Sequence, residues 1–161
     1  MILTKSKLKK FTDNWYNYLI QSLLATVAIF IILFVLNLQH LVNVASLGAS
    51  TFIVFALPKD VTAQTQNIIG GHTIGLIVGI IVSLFILNIG DLNSIILISL
   101  AVGISMFLMV VLDFEHPPAA GTALGVAYEG ISQEVIIAVV VGSIILGIIH
   151  KVFKSRMKNL V

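Results

Sequence analysis

The chain has no cysteine in its 161 residues. That excludes a disulfide framework, a thiolate metal site and a cysteine nucleophile. Charge is scarce too. Asp, Glu, Lys and Arg make up 10% of the sequence, where soluble proteins carry about 25%. No tract is long and polar enough to be a linker, nothing is of low complexity, and there is no room for a sizeable soluble domain. The patterns Gly-x-Ser-x-Gly, His-Glu-x-x-His and Gly-Lys-Ser/Thr are missing, so the common hydrolase and phosphate-loop signatures are absent. An enzyme is not expected, nor is a cofactor. What remains is hydrocarbon: 58% of residues are hydrophobic and the mean hydropathy is +1.11. This is the composition of an integral membrane protein. Its expected partners are the lipid bilayer and a small ion or solute, with no nucleic acid. The pI near 9.0 comes from Lys and Arg toward the termini, which in a membrane protein is an orientation signal.

Residues 1–17 read as a basic, aromatic leader, with Lys5, Lys7, Lys9 and Lys10 ahead of Trp15 and Tyr16. Residues 18–37 form a first span, longer than a signal-peptide core and so taken as uncleaved. A polar break, 37–40, follows. Residues 41–57 are a short apolar element interrupted by the small residues of 46–51, and Pro58-Lys59-Asp60 ends it. The third span, 67–87, carries Gly70-Gly71-His72, then Gly75 and Gly79, a small-residue ridge that lets another helix approach. After a polar turn at 88–93, residues 94–112 form a fourth span. The most polar stretch, 113–122, comes next. Residues 117–128 are too few to cross about 30 Å at 1.5 Å per residue. Residues 133–153 make the last span, and 154–161 form a basic tail. The expected fold is an all-α membrane protein with four to six transmembrane elements, two of them short or broken, in one domain at 18–153.

The halves correspond at an offset of 71 residues: Ala49 falls on Ala120, Thr51 on Thr122, Ala56 on Ala127 and Gly71 on Gly142. Identity is low, but the pattern of long, short and long elements recurs. It predicts a 3+3 inverted repeat with halves at 18–87 and 89–153. Short hydrophobic elements at matching places in two halves point to a transport site near the midplane. If all six elements cross, every Lys and Arg lies on one side, which puts both termini in the cytoplasm of a bacterial inner membrane. If elements two and five are re-entrant, four cross and Lys59 falls outside.

Candidate site residues follow from that layout. Pro117 and Pro118 suit the first turn of a helix, whose first N–H groups would be free to hold an anion. The repeat places the stretch from Ser46 to Thr51, with Gly48, Ser50 and Thr51 as its site candidates, opposite Gly121 and Thr122. His116 and His72 titrate near neutrality and suit proton transfer or donation to an anion. Gln66 and Asn67 open the third span and are candidates to line a vestibule. Asp113 and Glu115 would repel an anion unless protonated or paired. They suit proton coupling or capping, with Glu115 as the cap of the short helix. His40 and His150 lie near span ends and are expected to be solvated. The bland readings are helix packing for the small residues, capping for Asn67 and structural hydrogen bonds for the histidines. No metal is expected: His72, Asp113, Glu115 and His116 are ligand types, but their spacing selects no site.

The segment His116-Pro117-Pro118-Ala119-Ala120-Gly121-Thr122-Ala123-Leu124 resembles the signature of the HPP family of integral membrane proteins. Gly48-Ala49-Ser50 and Gln66-Asn67-Ile68-Ile69-Gly70-Gly71-His72 resemble its pattern in the same order. The resemblance implies a four-span transmembrane region, fused in some members to nucleotide-sensing CBS domains. Plant and cyanobacterial members are associated with nitrite transport. The chain departs from the family at Gln64-Thr65-Gln66, where a Pro and an Arg often stand before the Asn. The resulting expectation is a transporter or channel for a small inorganic anion such as nitrite, with its site between two half-helices. The alternative is a non-transporting subunit or sensor that binds partner helices through its Gly faces. A homo-oligomer is compatible with either.

Overall fold

Lipid offers a backbone no hydrogen-bond partners, so long apolar runs fold as helices. The computed structural model describes residues 5–36, 41–86 and 91–161. Among them are α1 (Lys5–Leu36), α2 (Leu41–Ala56), α3 (Thr65–Ile86), α4 (Asp91–Val111), α5 (Pro118–Glu129) and α6 (Gln133–Phe153). A short 3-10 helix, Val61–Ala63, precedes α3. Helices α1, α3, α4 and α6 are long and apolar enough to cross a membrane. The second and fifth are the short ones, as the sequence predicts. The polar break at 37–40, with His40, and the part of the next polar turn at 88–90 lie outside the described residues.

Two elements differ from expectation. Helix α1 is already helical at Lys5, so the leader is continuous with the first span. Neither Pro nor Gly stands between 5 and 36 to stop it. Its 32 residues rise about 48 Å against a hydrocarbon core of about 30 Å, so the basic turns project beyond the span. Helix α2 is not broken at Gly48 either. A single interior Gly costs a helix only about 1 kcal/mol.

The packing follows the repeat. Helix α1 packs on α2 and α6, and its counterpart α4 packs on α5 and α3. Helix α2 packs on α6 as α5 packs on α3, while α2·α5 and α3·α6 are pairs of counterparts. Exchanging the halves leaves this scheme unchanged. The glycine ridge of α3 receives α5. A Cβ on Gly75 would strike the carbonyl oxygen of Ala119, one on Gly71 would lie 2.7 Å from His116 Cβ, and one on Gly79 would lie 2.6 Å from Val126 Cβ. In the other half, Gly142 of α6 is filled by Leu47 of α2.

Hydrogen bonds gather the chain at one end of the bundle. Tyr18 and Gln21 of α1 bond to the backbone of 158–160, and Gln21 also reaches Phe55 O. Leu160 N donates to Ala56 O at 2.9 Å, so the basic tail folds back under α2. Thr65 Oγ1 donates to Gly147 O at 2.9 Å, and Lys154 Nζ bonds Gln64 Oε1. The starts of α1 and α3 and the ends of α2 and α6 therefore share this end, together with all nine Lys and Arg positions. Helix α4 also finishes here. Its last turn closes with Phe114 N on Met109 O at 2.9 Å and Asp113 N on Val110 O at 3.4 Å. Asp113 takes φ 58°, the left-handed residue that this type of C-terminal closure requires. Residues 114–117 then dip into the bundle, where the Phe114 ring sits against Gly70. Helix α5 starts from that depth, and a link at 130–132 hands the chain to α6, which returns to the basic end. Gly130, at φ 84°, makes the turn. Successive helices thus alternate in direction, and the halves are inverted. The outer faces of α1 and α4 (Leu23, Phe30 and Phe34; Leu100, Phe107 and Val111) are exposed hydrocarbon.

Candidate functional site

Ser46 and Ser50 are one helical turn apart, so both project from the same face of α2. That face meets α5 and the start of the buried loop. His72 comes from α3, Thr122 from α5 and His116 from the loop, and all five side chains are buried. They form one hydrogen-bonded line. His116 Nδ1 lies 2.7 Å from Thr62 O. His116 Nε2 lies 2.8 Å from Ser50 Oγ. Ser50 Oγ lies 2.8 Å from His72 Nε2. His72 Nδ1 lies 2.8 Å from Thr122 Oγ1. Thr122 Oγ1 lies 2.8 Å from Ser46 Oγ, which donates to Pro118 O at 2.7 Å. A longer bond, 3.1 Å, runs from Ser50 Oγ back to Ser46 O. The two imidazole centres are 5.1 Å apart. Since carbonyls only accept, His116 carries a hydrogen on Nδ1, and Ser46 points its own at Pro118.

The line is anchored outside the spans by Asp60. Its carboxylate accepts from Thr62 N at 2.9 Å and Thr62 Oγ1 at 2.7 Å. Those two bonds hold its carboxyl below the usual carboxylate range. They also fix the turn that aims Thr62 O at His116. The Asp-x-Thr spacing is an Asx-turn signal carried by the sequence itself. The i, i+4 spacing of Ser46 and Ser50 is a second such signal.

Of the residues expected at the site, His116, His72, Ser50 and Thr122 come together. Gly121 packs beside Ser46, with its missing Cβ 3.5 Å from Ser46 Cβ. Pro118 contributes its carbonyl. Pro117 is exposed and lines a cavity of about 180 Å³ with Glu115, His116, Met106, Met109, Val110 and Ala120. Thr51 is not part of the line. Its hydroxyl donates to Leu47 O of its own helix at 2.8 Å, because one residue past Ser50 turns the side chain about 100° away. Gly48 also stands apart, with nothing within 4 Å of the space its Cβ would fill. Gln66 is exposed at the basic end, in a groove shared with His150, Lys151 and Lys154. Asn67 is buried and donates from Nδ2 to Val61 O at 3.0 Å, leaving Oδ1 without a partner.

Four expectations need correction. The first N–H groups of α5 are not free. Pro117 and Pro118 have none, Ala119 N donates to His116 O at 2.9 Å, and Ala120 N donates to Pro117 O at 3.1 Å. A tight first turn has used them. Glu115 does not cap α5, because Pro117 occupies the cap position and no side chain bonds there. Asp113 ends α4 instead of starting α5. His150 is not solvated. It is buried, with Nε2 2.8 Å from Pro58 O, and ties α6 to the loop after α2. Among the described residues no three of His, Asp and Glu converge.

The family pattern described as "HPP, transmembrane region" matches residues 10–159. The chain belongs to the HPP transmembrane family. It is 34% identical over 98 residues to a transmembrane protein of Dictyostelium discoideum, a stretch covering 61% of this chain and 34% of that relative. The chain thus spans about a third of that relative's length. No solved structure matches the chain. The HPP tripeptide acquires a physical role from the geometry. His116 bridges the loop after α2 to Ser50, and the two prolines begin α5 without presenting an N–H to the line. The Pro118 carbonyl closes the line on Ser46.

Proposed function

We propose that this HPP domain carries a small solute across the membrane, with the Ser–His–Thr line on its pathway. The observation that supports this most is the line itself. Five polar side chains are buried between the two short helices of an apolar bundle. Polar groups inside a membrane protein are costly and mark pathways and relays. Ser50 lies six residues before the end of α2, about 9 Å in from the basic end, on a helix face shared by both halves of the repeat. A small inorganic anion such as nitrite is the solute proposed, from the family's association. The basic groove at Lys59, Lys151 and Lys154 would gather anions at the mouth. Positive residues retained on the inner side make this end cytoplasmic.

The test is flux into liposomes holding purified protein, with nitrite, nitrate, formate and chloride compared across pH. Uptake above empty vesicles, reduced by His116→Gln in a protein that still folds, is the expected result. No anion moving faster than in empty vesicles would sink the anion reading. The alternative of a subunit that docks partner helices on its Gly ridge loses its motive, because α5 already fills Gly71, Gly75 and Gly79.

A further inference from the structure

The buried line is short of hydrogens. Six contacts of 2.7–2.8 Å run from Thr62 O through His116, Ser50, His72, Thr122 and Ser46 to Pro118 O. Each contact needs one hydrogen between its two heavy atoms. Three hydroxyls and two neutral imidazoles supply one each, five for six contacts. In the neutral state one contact must therefore face lone pair to lone pair. One added proton completes these six contacts in two ways, in each of which the Ser50 hydroxyl turns its hydrogen from the longer contact with Ser46 O toward an imidazole. With the charge on His116, its Nε2–H donates to Ser50, and Ser50 donates to His72 Nε2. With the charge on His72, its Nε2–H donates to Ser50, and Ser50 donates to His116 Nε2. In both cases His72 Nδ1–H donates to Thr122, Thr122 to Ser46 and Ser46 to Pro118 O. Moving the charge needs only the Ser50 hydroxyl to exchange one hydrogen for another. A second proton is opposed by the first, because the rings are 5.1 Å apart.

Among the described residues, a single charge here has no fixed counter-charge. Helices α2 and α5 bring no ionisable side chain to the line, and α3 brings only His72. Tyr128 and Glu129 lie at the other end of α5, as Asp91 does on α4 and Glu134 on α6. Both nitrogens of each imidazole are engaged with other partners, so neither is paired with a carboxylate. At the basic end, Asp60 is held by Thr62, Lys59 and Asp113 are exposed, and Glu115 only shares a cavity with His116. We infer that His116, Ser50 and His72 bind one proton between them, and that a small anion supplies the missing counter-charge, so that proton and anion cross together without net charge. This rests on the transport reading for its second half only. The proton comes from water at the basic end and leaves to water with the anion on the other side. No other bond changes.

The experiment has two arms on the full chain. The first labels the histidines with ¹⁵N in lipid nanodiscs and titrates pH with and without sodium nitrite. The expected result is a joint shift of His72 and His116, totalling one proton, that moves to higher pH when nitrite is added. Ser50→Ala should split the pair into separate titrations, while Thr122→Ser, which keeps the hydroxyl, should leave it joint. Should Ser50→Ala fail to fold, His72→Gln reports the same loss of sharing. The second arm loads vesicles with a pH-sensitive dye and clamps the membrane potential. One proton should enter per nitrite, whatever the potential. Uptake driven by potential with no proton entry would overturn the coupling and leave transport standing. Joint titration with no flux would uphold the proton site and remove transport. Histidines that keep neutral shifts down to the pH of unfolding, with or without nitrite, would overturn the proton site itself.

Discussion

At the residue scale, buried histidines divide into two kinds. His116 and His72 share a hydroxyl between them. His150 is bonded through Nε2 to a loop carbonyl and has only a 3.4 Å contact from Nδ1 to the Thr65 hydroxyl. His150→Leu leaves Pro58 O buried without a donor, which costs about 1–3 kcal/mol. Thermal unfolding in detergent should read that loss. Asp113 is a different case, because its φ of 58° is strained for most side chains. Asp113→Val should destabilise by about 1–2 kcal/mol and Asp113→Gly should not. If the two variants melt alike, the closure described for α4 is wrong. Asp60 carries the pH prediction. Its folded-state carboxyl is depressed, so its contribution is present above the ordinary carboxylate pKa and is lost as pH falls through the folded value. Asp60→Asn should therefore weaken the protein at neutral pH and make little difference in acid, as unfolding at the two pH values would tell.

At the element scale, the fit of α5 on α3 governs the site. A Cβ at Gly75 meets backbone, the carbonyl of Ala119, which no rotamer change relieves. Gly75→Ala should cost at least the about 1–3 kcal/mol typical of overpacking, and should shift the His116 and His72 ¹⁵N resonances as α5 is pushed off. Gly121→Ala, where the nearest atom is 3.5 Å away, should be tolerated. Helix lengths, the small-residue ridge and the two short elements were legible in the sequence, because periodicity and length carry them. His116, His72, Ser50 and Thr122 were legible as expensive polar groups in a hydrocarbon chain. Their partners were not. Thr51 and Ser50 differ by one residue, and only the helical rotation of α2 decides which meets α5. The state of the α5 N-terminus was misread for a related reason. Two prolines announce a helix start, but which carbonyls the next N–H groups find depends on how the loop enters the bundle.

At the scale of the whole molecule, the unchanged contact scheme on exchanging the halves makes an inverted repeat out of a faint sequence match. The site breaks that symmetry. The counterpart of His72 is Ser143, whose hydroxyl donates to Val140 O of its own helix at 3.0 Å, so no matching line passes through it. Topology is directly testable, because the chain has no native cysteine. Lys59→Cys and Ser155→Cys should react with an impermeant thiol reagent from one side, the cytoplasmic side, and Ile131→Cys from the other. Labelling of Lys59→Cys opposite to Ser155→Cys would mean that α2 turns back within the membrane.

The central claim is that the buried line carries solute and the third buried histidine only holds the fold. The measurement is nitrite uptake per folded molecule in vesicles containing wild type, His116→Gln or His150→Leu. The account predicts uptake reduced toward the empty-vesicle level for His116→Gln, and wild-type uptake for a less stable His150→Leu. Wild-type uptake by His116→Gln, or a wild type that moves no more nitrite than empty vesicles, would contradict it.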